Sequence, residues 1–234
     1  MADAETTEAN APAPAKGASD LPVRLASAAV MLALVGAAFY FGGTVLDTFI
    51  GIVALIAFVE LVLLIVKATA NISFRLAAIL AGAAYIFVAA GVLAQLDTYY
   101  LIAVIGVVIA TDTGGYLFGR TIGGPKIARR ISPSKTWAGL LGAMLCAALW
   151  LFVSAQFLRP VQLEATWEDP LGAAIVGAVL AVLAQIGDFF ESWLKRKAGV
   201  KDSSKLIPGH GGVLDRVDGL LPVALVVGVL STLL

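Results

Sequence analysis

The sequence predicts an all-α, polytopic membrane protein of about seven transmembrane helices. Three observations predict it. Apolar residues make up 60% of the 234-residue chain and charged residues 14%, against about 45–50% and about 25% in soluble domains. The apolar residues fall in successive runs, each near the roughly 17–25 residues that a bilayer-spanning helix needs. Lys and Arg concentrate on alternate loops between these runs, as in a chain whose positive loops share one side of a membrane. A soluble fold of this size cannot hide so much apolar surface, so lipid must be the solvent for much of it.

Residues 1–21 are rich in Ala, Pro, Thr and acids and show no apolar periodicity, so they read as a disordered tail. A signal peptide would need a basic start followed directly by an apolar stretch. The remainder, 22–234, reads as one membrane-embedded domain. Its spans are expected at about 25–46, 48–66, 76–96, 98–118, 136–158, 171–190 and 218–234. Lys16 and Arg24 precede the first span, and Lys67 and Arg75 bracket the second loop. The fourth loop carries Arg120, Lys126, Arg129, Arg130 and Lys135; the sixth carries Lys195, Arg196, Lys197, Lys201, Lys205 and Arg216. The loops near 47 and 97 hold only Asp47 and Asp97, and the one at 159–170 sets Arg159 against Glu164, Glu168 and Asp169. The basic loops therefore place the N-terminus at the cytoplasmic face of the cell (inner) membrane and the C-terminus outside. Cys146, the only cysteine, excludes disulfides and cysteine metal clusters and reads as a packing residue.

Ionisable groups inside spans cost about 2.5–3.5 kcal/mol each at the bilayer centre. Four acids sit in the expected spans: Glu60, Asp112, Asp188 and Asp218. The topology puts the three aspartates at cytoplasmic helix ends and Glu60 roughly 10 Å deeper. Acids gathered beside basic loops match divalent-metal chemistry on phosphates, in which oxygen ligands hold Mg²⁺ and Lys and Arg neutralise phosphate oxygens. The bland alternative is that helix-end acids simply reach interfacial water.

Two loops carry the chemistry. The first contains Gly114, Gly115, Gly119, Gly123 and Gly124, then Ser132-Pro133-Ser134-Lys135-Thr136. The glycines are expected to let backbone approach a ligand closely, with hydroxyls and Lys135 as phosphate donors. The segment at 132–136 also stands where it can cap the fifth span. In the second loop, Asp215 and Asp218 are three residues apart, so a helix beginning there would point both carboxylates one way, toward a shared metal. Pro208 and the glycines around His210 read as a rigid turn. His210 can be a phosphate donor, a turn hydrogen-bonder or, less favoured, a metal ligand.

The run from Ser192 to Asp218 resembles the phosphatidate cytidylyltransferase (CDP-diacylglycerol synthase) family. Ser192, Lys195, Arg196, Lys201, Asp202, Ser204, Pro208 to Gly212, Asp215, Arg216 and Asp218 fill its pattern with the spacing intact. The earlier loop is similar in Asp112, Tyr116, Gly119-Arg120, Ser132-Pro133 and Lys135-Thr136, and the likeness runs from about residue 50 onward. Thr111 stands where family members usually have Asn, and Gly219 where Ser is common. The resemblance implies attack by the phosphate of phosphatidic acid on the α-phosphorus of CTP, giving CDP-diacylglycerol and pyrophosphate for phospholipid synthesis. Residues 22–234 would then be a cytidylyltransferase domain. Asp188, Asp215, Asp218 and Lys135 would be catalytic, and Asp188, Asp215 and Asp218 would hold Mg²⁺ with Asp112 nearby. Lys135, Lys195, Arg196, Lys201 and Arg216 would bind phosphates, helped by Ser132, Ser134, Ser203, Ser204 and His210. A monovalent cation such as K⁺ is a further implied cofactor. The implied partners are CTP, phosphatidic acid and membrane lipids; no nucleic acid is expected, and a homodimer stays open. A CTP-dependent polyprenol or phytol kinase would share the basic face but release CDP. A CDP-alcohol phosphotransferase lacks support because its Asp-Gly-x-x-Ala-Arg run is missing, and a transporter would spread its acids through the bilayer depth.

Overall fold

The structure, a computed structural model, describes residues 20–158 and 169–233. The expected tail lies outside the described residues apart from its last two positions, as do Arg159, Glu164 and Glu168. The chain runs α1 (Asp20–Phe41), α2 (Gly43–Ala68), α3 (Ile72–Gln95), α4 (Thr98–Thr121), β1 (Lys126–Ala128), β2 (Ser132–Thr136) and α5 (Trp137–Val153), which a π-helical turn (Ser154–Leu158) extends. Then follow α6 (Pro170–Lys197), α7 (Leu214–Val217) and α8 (Leu220–Leu233). Six of these helices are long and apolar enough to cross a membrane, and α8 is a shorter apolar helix. The protein is an all-α membrane protein of about seven helices.

Local chemistry sets the helix ends. Gly42 and Gly43 take φ of 58° and 46°, which side chains with a Cβ avoid. They break the chain between α1 and α2 about five residues before the expected loop, leaving Asp47 inside α2. Asn71 caps α3 by accepting from Phe74 N at 3.2 Å. Arg75 turns back to donate to the Val66 and Thr69 carbonyls at 3.0 and 2.7 Å, satisfying the end of α2. The 132–136 segment does cap the fifth span: Thr136 Oγ1 accepts from Gly139 N at 3.1 Å.

The bundle packs on small residues. α4 lies along α5, α5 along α6, α2 along α3, and α8 against α3 and α6. At the α4–α5 seam a Cβ added to Gly114 would fall 2.6 Å from the Gly142 carbonyl oxygen. One added to Gly139 would fall 2.8 Å from that of Gly115. Such backbone approach is how helices associate in lipid, where burial of apolar groups gives no drive. On the opposite face of α5, Leu141, Leu145 and Leu149 are exposed at four-residue spacing, an outward apolar stripe suited to lipid.

Three expectations change. Gly114, Gly115 and Gly119 are not in a ligand-approach loop. α4 continues through them to Thr121, and their missing side chains serve the α5 seam. Likewise α6 continues to Lys197, so Lys195 and Arg196 ride on a helix. As a result Asp112 and Asp188 each sit nine residues before their helix end, about 13 Å inside it at 1.5 Å per residue, rather than at the end. A small antiparallel hairpin, with Lys126 opposite Thr136 and Ala128 opposite Ser132, was not anticipated. Pro133 bars a helix there.

Candidate active site

The site lies where α4, α6, the hairpin and the 199–219 segment meet. Asp188 projects from α6. Ser192, one turn on, donates to its Oδ1 at 3.2 Å, and Lys135 of β2 forms a close ion pair with its Oδ2. That pair ties the hairpin to the bundle, as does the hydrogen bond from Arg196 Nε to the Ile131 carbonyl at 3.4 Å. Asp218 follows α7, with its Oδ1 accepting from Gly219 N at 2.8 Å. Burial pushes the Asp218 carboxyl up, and the neighbouring carboxylates of Asp188 and, more weakly, Asp112 push it further. Asp112, Asp188 and Asp218 therefore share one negative locality.

Asp215 is held between α6 and the 203–212 loop. Its Oδ1 accepts from Lys195 Nζ at 2.6 Å. Its Oδ2 accepts from Ser203 N at 2.9 Å, Ser203 Oγ at 2.9 Å and Gly212 N at 2.7 Å. Burial alone would raise this carboxyl, but the Lys195 ammonium and the Gly212 and Ser203 N–H groups outweigh it and hold it at about 2. Lys195 also reaches Glu191 Oε2 at 2.7 Å, so one ammonium bridges two largely buried carboxylates. Glu191 was missed by sequence reasoning. Its signal was there, because Glu191 and Lys195 are four apart and α6 carries them on one face.

The loop above is built around Glu60. Its Oε1 accepts from Ser204 Oγ at 2.6 Å and Val213 N at 3.1 Å; its Oε2 accepts from Ser203 Oγ at 3.0 Å and Leu214 N at 2.7 Å. Gly209 and Gly211 take φ of 76° and 88° in a turn closed by hydrogen bonds from His210 N and Gly211 N to the Ile207 carbonyl. The rigid turn expected there is present. His210 Nδ1 lies 2.9 Å from Ser27 Oγ of α1, and Arg216 donates to the His210 carbonyl at 2.7 Å.

The expected site residues take several different positions. Ser203 and Ser204 turn their hydroxyls to Glu60 rather than outward to a phosphate. Lys195 is bound between Glu191 and Asp215. Asp215 has both oxygens engaged, one by Lys195 and the other by Ser203 and Gly212. Lys201, Ser134, Arg196 and Arg216 are exposed, whereas Ser132 is buried.

Among the described residues no three carboxylate, imidazole or thiol groups converge tightly enough to enclose a metal ion. Mg²⁺, however, is usually held by one or two carboxylates together with substrate phosphates, not by an all-protein cage. Hard carboxylate oxygens on Asp188, Asp218 and Asp112, with their mutual repulsion only partly met by Lys135, fit such a cation. Glu191 Oε1 and the hydroxyl of Thr111 are the buried side-chain polar atoms without a partner among the described residues. Glu191 also lines a cavity of about 20 Å³ with Tyr85 and Asp218.

Fold and site together define a polytopic membrane protein with its charged chemistry sunk about two helical turns into one end of a helix bundle. The model of the cytidylyltransferase family matches residues 71–234, and the chain belongs to that family. A phosphatidate cytidylyltransferase of Brucella suis biovar 1 is 45% identical over 125 residues, covering 53% of this chain and 43% of that protein. One of Mycobacterium leprae is 39% identical over 127 residues, covering 54% and 38%. The match thus spans less than half the length of these relatives.

Proposed function

We propose that this chain transfers the cytidylyl group of CTP to phosphatidic acid, giving CDP-diacylglycerol and pyrophosphate. The observation that carries the proposal is the Lys135–Asp188 pair beside Asp218 and Asp112, in a member of the cytidylyltransferase family. A phosphate oxygen of phosphatidic acid donates its electron pair to the α-phosphorus of CTP. The bond from the α-phosphorus to the bridging oxygen breaks, and pyrophosphate leaves with the electrons of that bond. The nucleophile is already ionised near neutral pH, so the task is to bring two polyanions together, by positioning and charge neutralisation.

Asp188 and Asp218, with Asp112, would hold Mg²⁺, which when bound supplies positive charge to the phosphates. Lys135 stands on Asp188 and exchanges that carboxylate for a substrate phosphate. Exposed Arg196, Lys201 and Arg216 attract the triphosphate from the cytoplasmic side. Lys195 and Asp215 do not reach for substrate; they lock α6 to the loop. A groove of about 440 Å³ beside Glu60, lined by Leu55, Ile56, Val59, Ser204 and Leu206, offers acyl chains a lateral route. The K⁺ and homodimer expectations gain no support from the site.

The test is incubation of purified protein with phosphatidic acid, Mg²⁺ and each of the four nucleoside triphosphates. Pyrophosphate and CDP-diacylglycerol should form with CTP. Release of CDP would point to a lipid kinase, and absence of turnover with phosphatidic acid would sink the assignment.

A further inference from the structure

Glu60 sits eight residues before the end of α2, about 12 Å inside the helix, and is 3% exposed. A carboxylate within a span is costly and calls for a partner, yet no ion pair reaches Glu60 among the described residues. Four neutral donors take its two oxygens instead, and all four belong to the 203–214 segment. A carboxylate offers about four lone-pair sites, so its capacity is filled by this one loop.

The surroundings are shaped to the contact. Gly212 is buried, and a Cβ there would stand 2.5 Å from Glu60 Oε2, so only glycine lets the loop descend this far. Ser203 Oγ lies within hydrogen-bond reach of both Glu60 Oε2 and Asp215 Oδ2, at 3.0 and 2.9 Å. Its single hydroxyl proton is shared between the two carboxylates, so a change at Glu60 is felt at Asp215. Leu214 N, the shortest backbone contact to Glu60, belongs to the residue just before Asp215. Glu60 also lies outside the residues that the family model matches.

The geometry points to Glu60 as a positioning residue that clamps the 203–214 loop from within α2 and so sets the placement of Asp215 and Asp218. The clamp stands on geometry alone; its kinetic consequence rests on the cytidylyltransferase proposal. Glu60 touches no reacting atom and acts through Ser203, Val213 and Leu214.

The test is Glu60→Gln, which keeps the shape but turns an amide N–H₂ toward donors. Hydrogen exchange of peptides across 203–214 should quicken about tenfold or more while α4 and α5 peptides keep their wild-type rates. kcat should fall about 10- to 100-fold, the range for loss of a group that orients ligands. The KM for phosphatidic acid should stay within about twofold, and the half-saturating Mg²⁺ concentration should rise severalfold. A merely structural defect lowers the active fraction and moves neither KM nor the Mg²⁺ requirement. Unchanged exchange across 203–214 would overturn the clamp, and faster exchange with wild-type kcat and Mg²⁺ dependence would overturn the positioning role. If wild-type protein shows no turnover while the Glu60→Gln loop loosens, the clamp holds and the failure lies with the proposed reaction. Should Glu60→Gln not fold, Ser204→Ala removes one donor and takes the same measurements, with about a three- to tenfold fall in kcat expected. Wild-type kinetics and exchange in that variant would overturn the inference.

Discussion

Asp215 shows how one residue's role is decided by what surrounds it. Its carboxyl is held at about 2, from an ordinary 3.8, with its side chain only 7% exposed. A depressed carboxyl contributes stability that is complete above the unfolded value and is lost as pH falls through the folded one. The shift corresponds to about 2 kcal/mol, present above about pH 4 and fading toward pH 2. Thermal melts of detergent-solubilised wild type and Asp215→Asn should therefore differ most near neutral pH, and the gap should narrow below about pH 4. A gap independent of pH would mean that the hydrogen bonds around Asp215 do not favour its ionised form. Gly212 offers a second residue-scale check. A methyl group there meets both Ser203 Oγ and the Glu60 carboxylate, so Gly212→Ala should cost about 1–3 kcal/mol, the range for overpacking, and Ser203→Ala or Glu60→Ala should each relieve part of that cost in a double variant.

At the scale of elements, glycine explains both a success and an error of sequence reasoning. The turn at 208–211 was legible because Pro-Gly-His-Gly-Gly has no helical alternative. The glycines at 114, 115 and 119 were misassigned because glycine serves close ligand approach and close helix approach equally, and only the facing Gly139 and Gly142 of α5 decide between them. The hairpin was hidden for a related reason: Lys126–Ala128 is three residues long and has no alternation to read. Glu60 was visible as an intramembrane acid, but its partners lie 143–154 residues away in sequence, and periodicity names a face, not a partner. The α4–α5 seam yields a test. Gly139→Val places bulk against the Gly115 carbonyl and disturbs the Thr136 cap that positions Lys135, so both melting temperature and turnover should drop. Leu141→Ala, two residues on but facing outward, should change the melting temperature little. Equal losses in the two variants would argue against a tight seam.

At the scale of the molecule, membrane spans were legible because bilayer thickness dictates helix length, whereas the site's depth was not. Counting apolar residues ended α4 and α6 too early, because both helices carry basic residues on their last turns while remaining helical. This matters for orientation. Asp112, Asp188 and Glu60 lie at closely similar distances from the C-terminal ends of their helices, so these acids stand toward one end of the bundle. Arg120, Lys126, Arg129, Arg130, Lys201 and Lys205 are exposed on the segments that follow α4 and α6 or end α4, while Asp97 marks the far end between α3 and α4. The bias of Lys and Arg toward the cytoplasm then predicts that nucleotide enters from the cytoplasm. Single cysteines placed at 97, 130 and 205 in a Cys146→Ala background can report this, since Cys146 is the only native thiol. In intact cells, or in spheroplasts where an outer membrane intervenes, an impermeant maleimide should label position 97 and spare 130 and 205 until the membrane is opened. Labelling of 130 and 205 from outside would invert the topology. The carboxylates would then stand toward the face away from cytoplasmic CTP, and the proposed reaction would lose its nucleotide supply whatever their geometry.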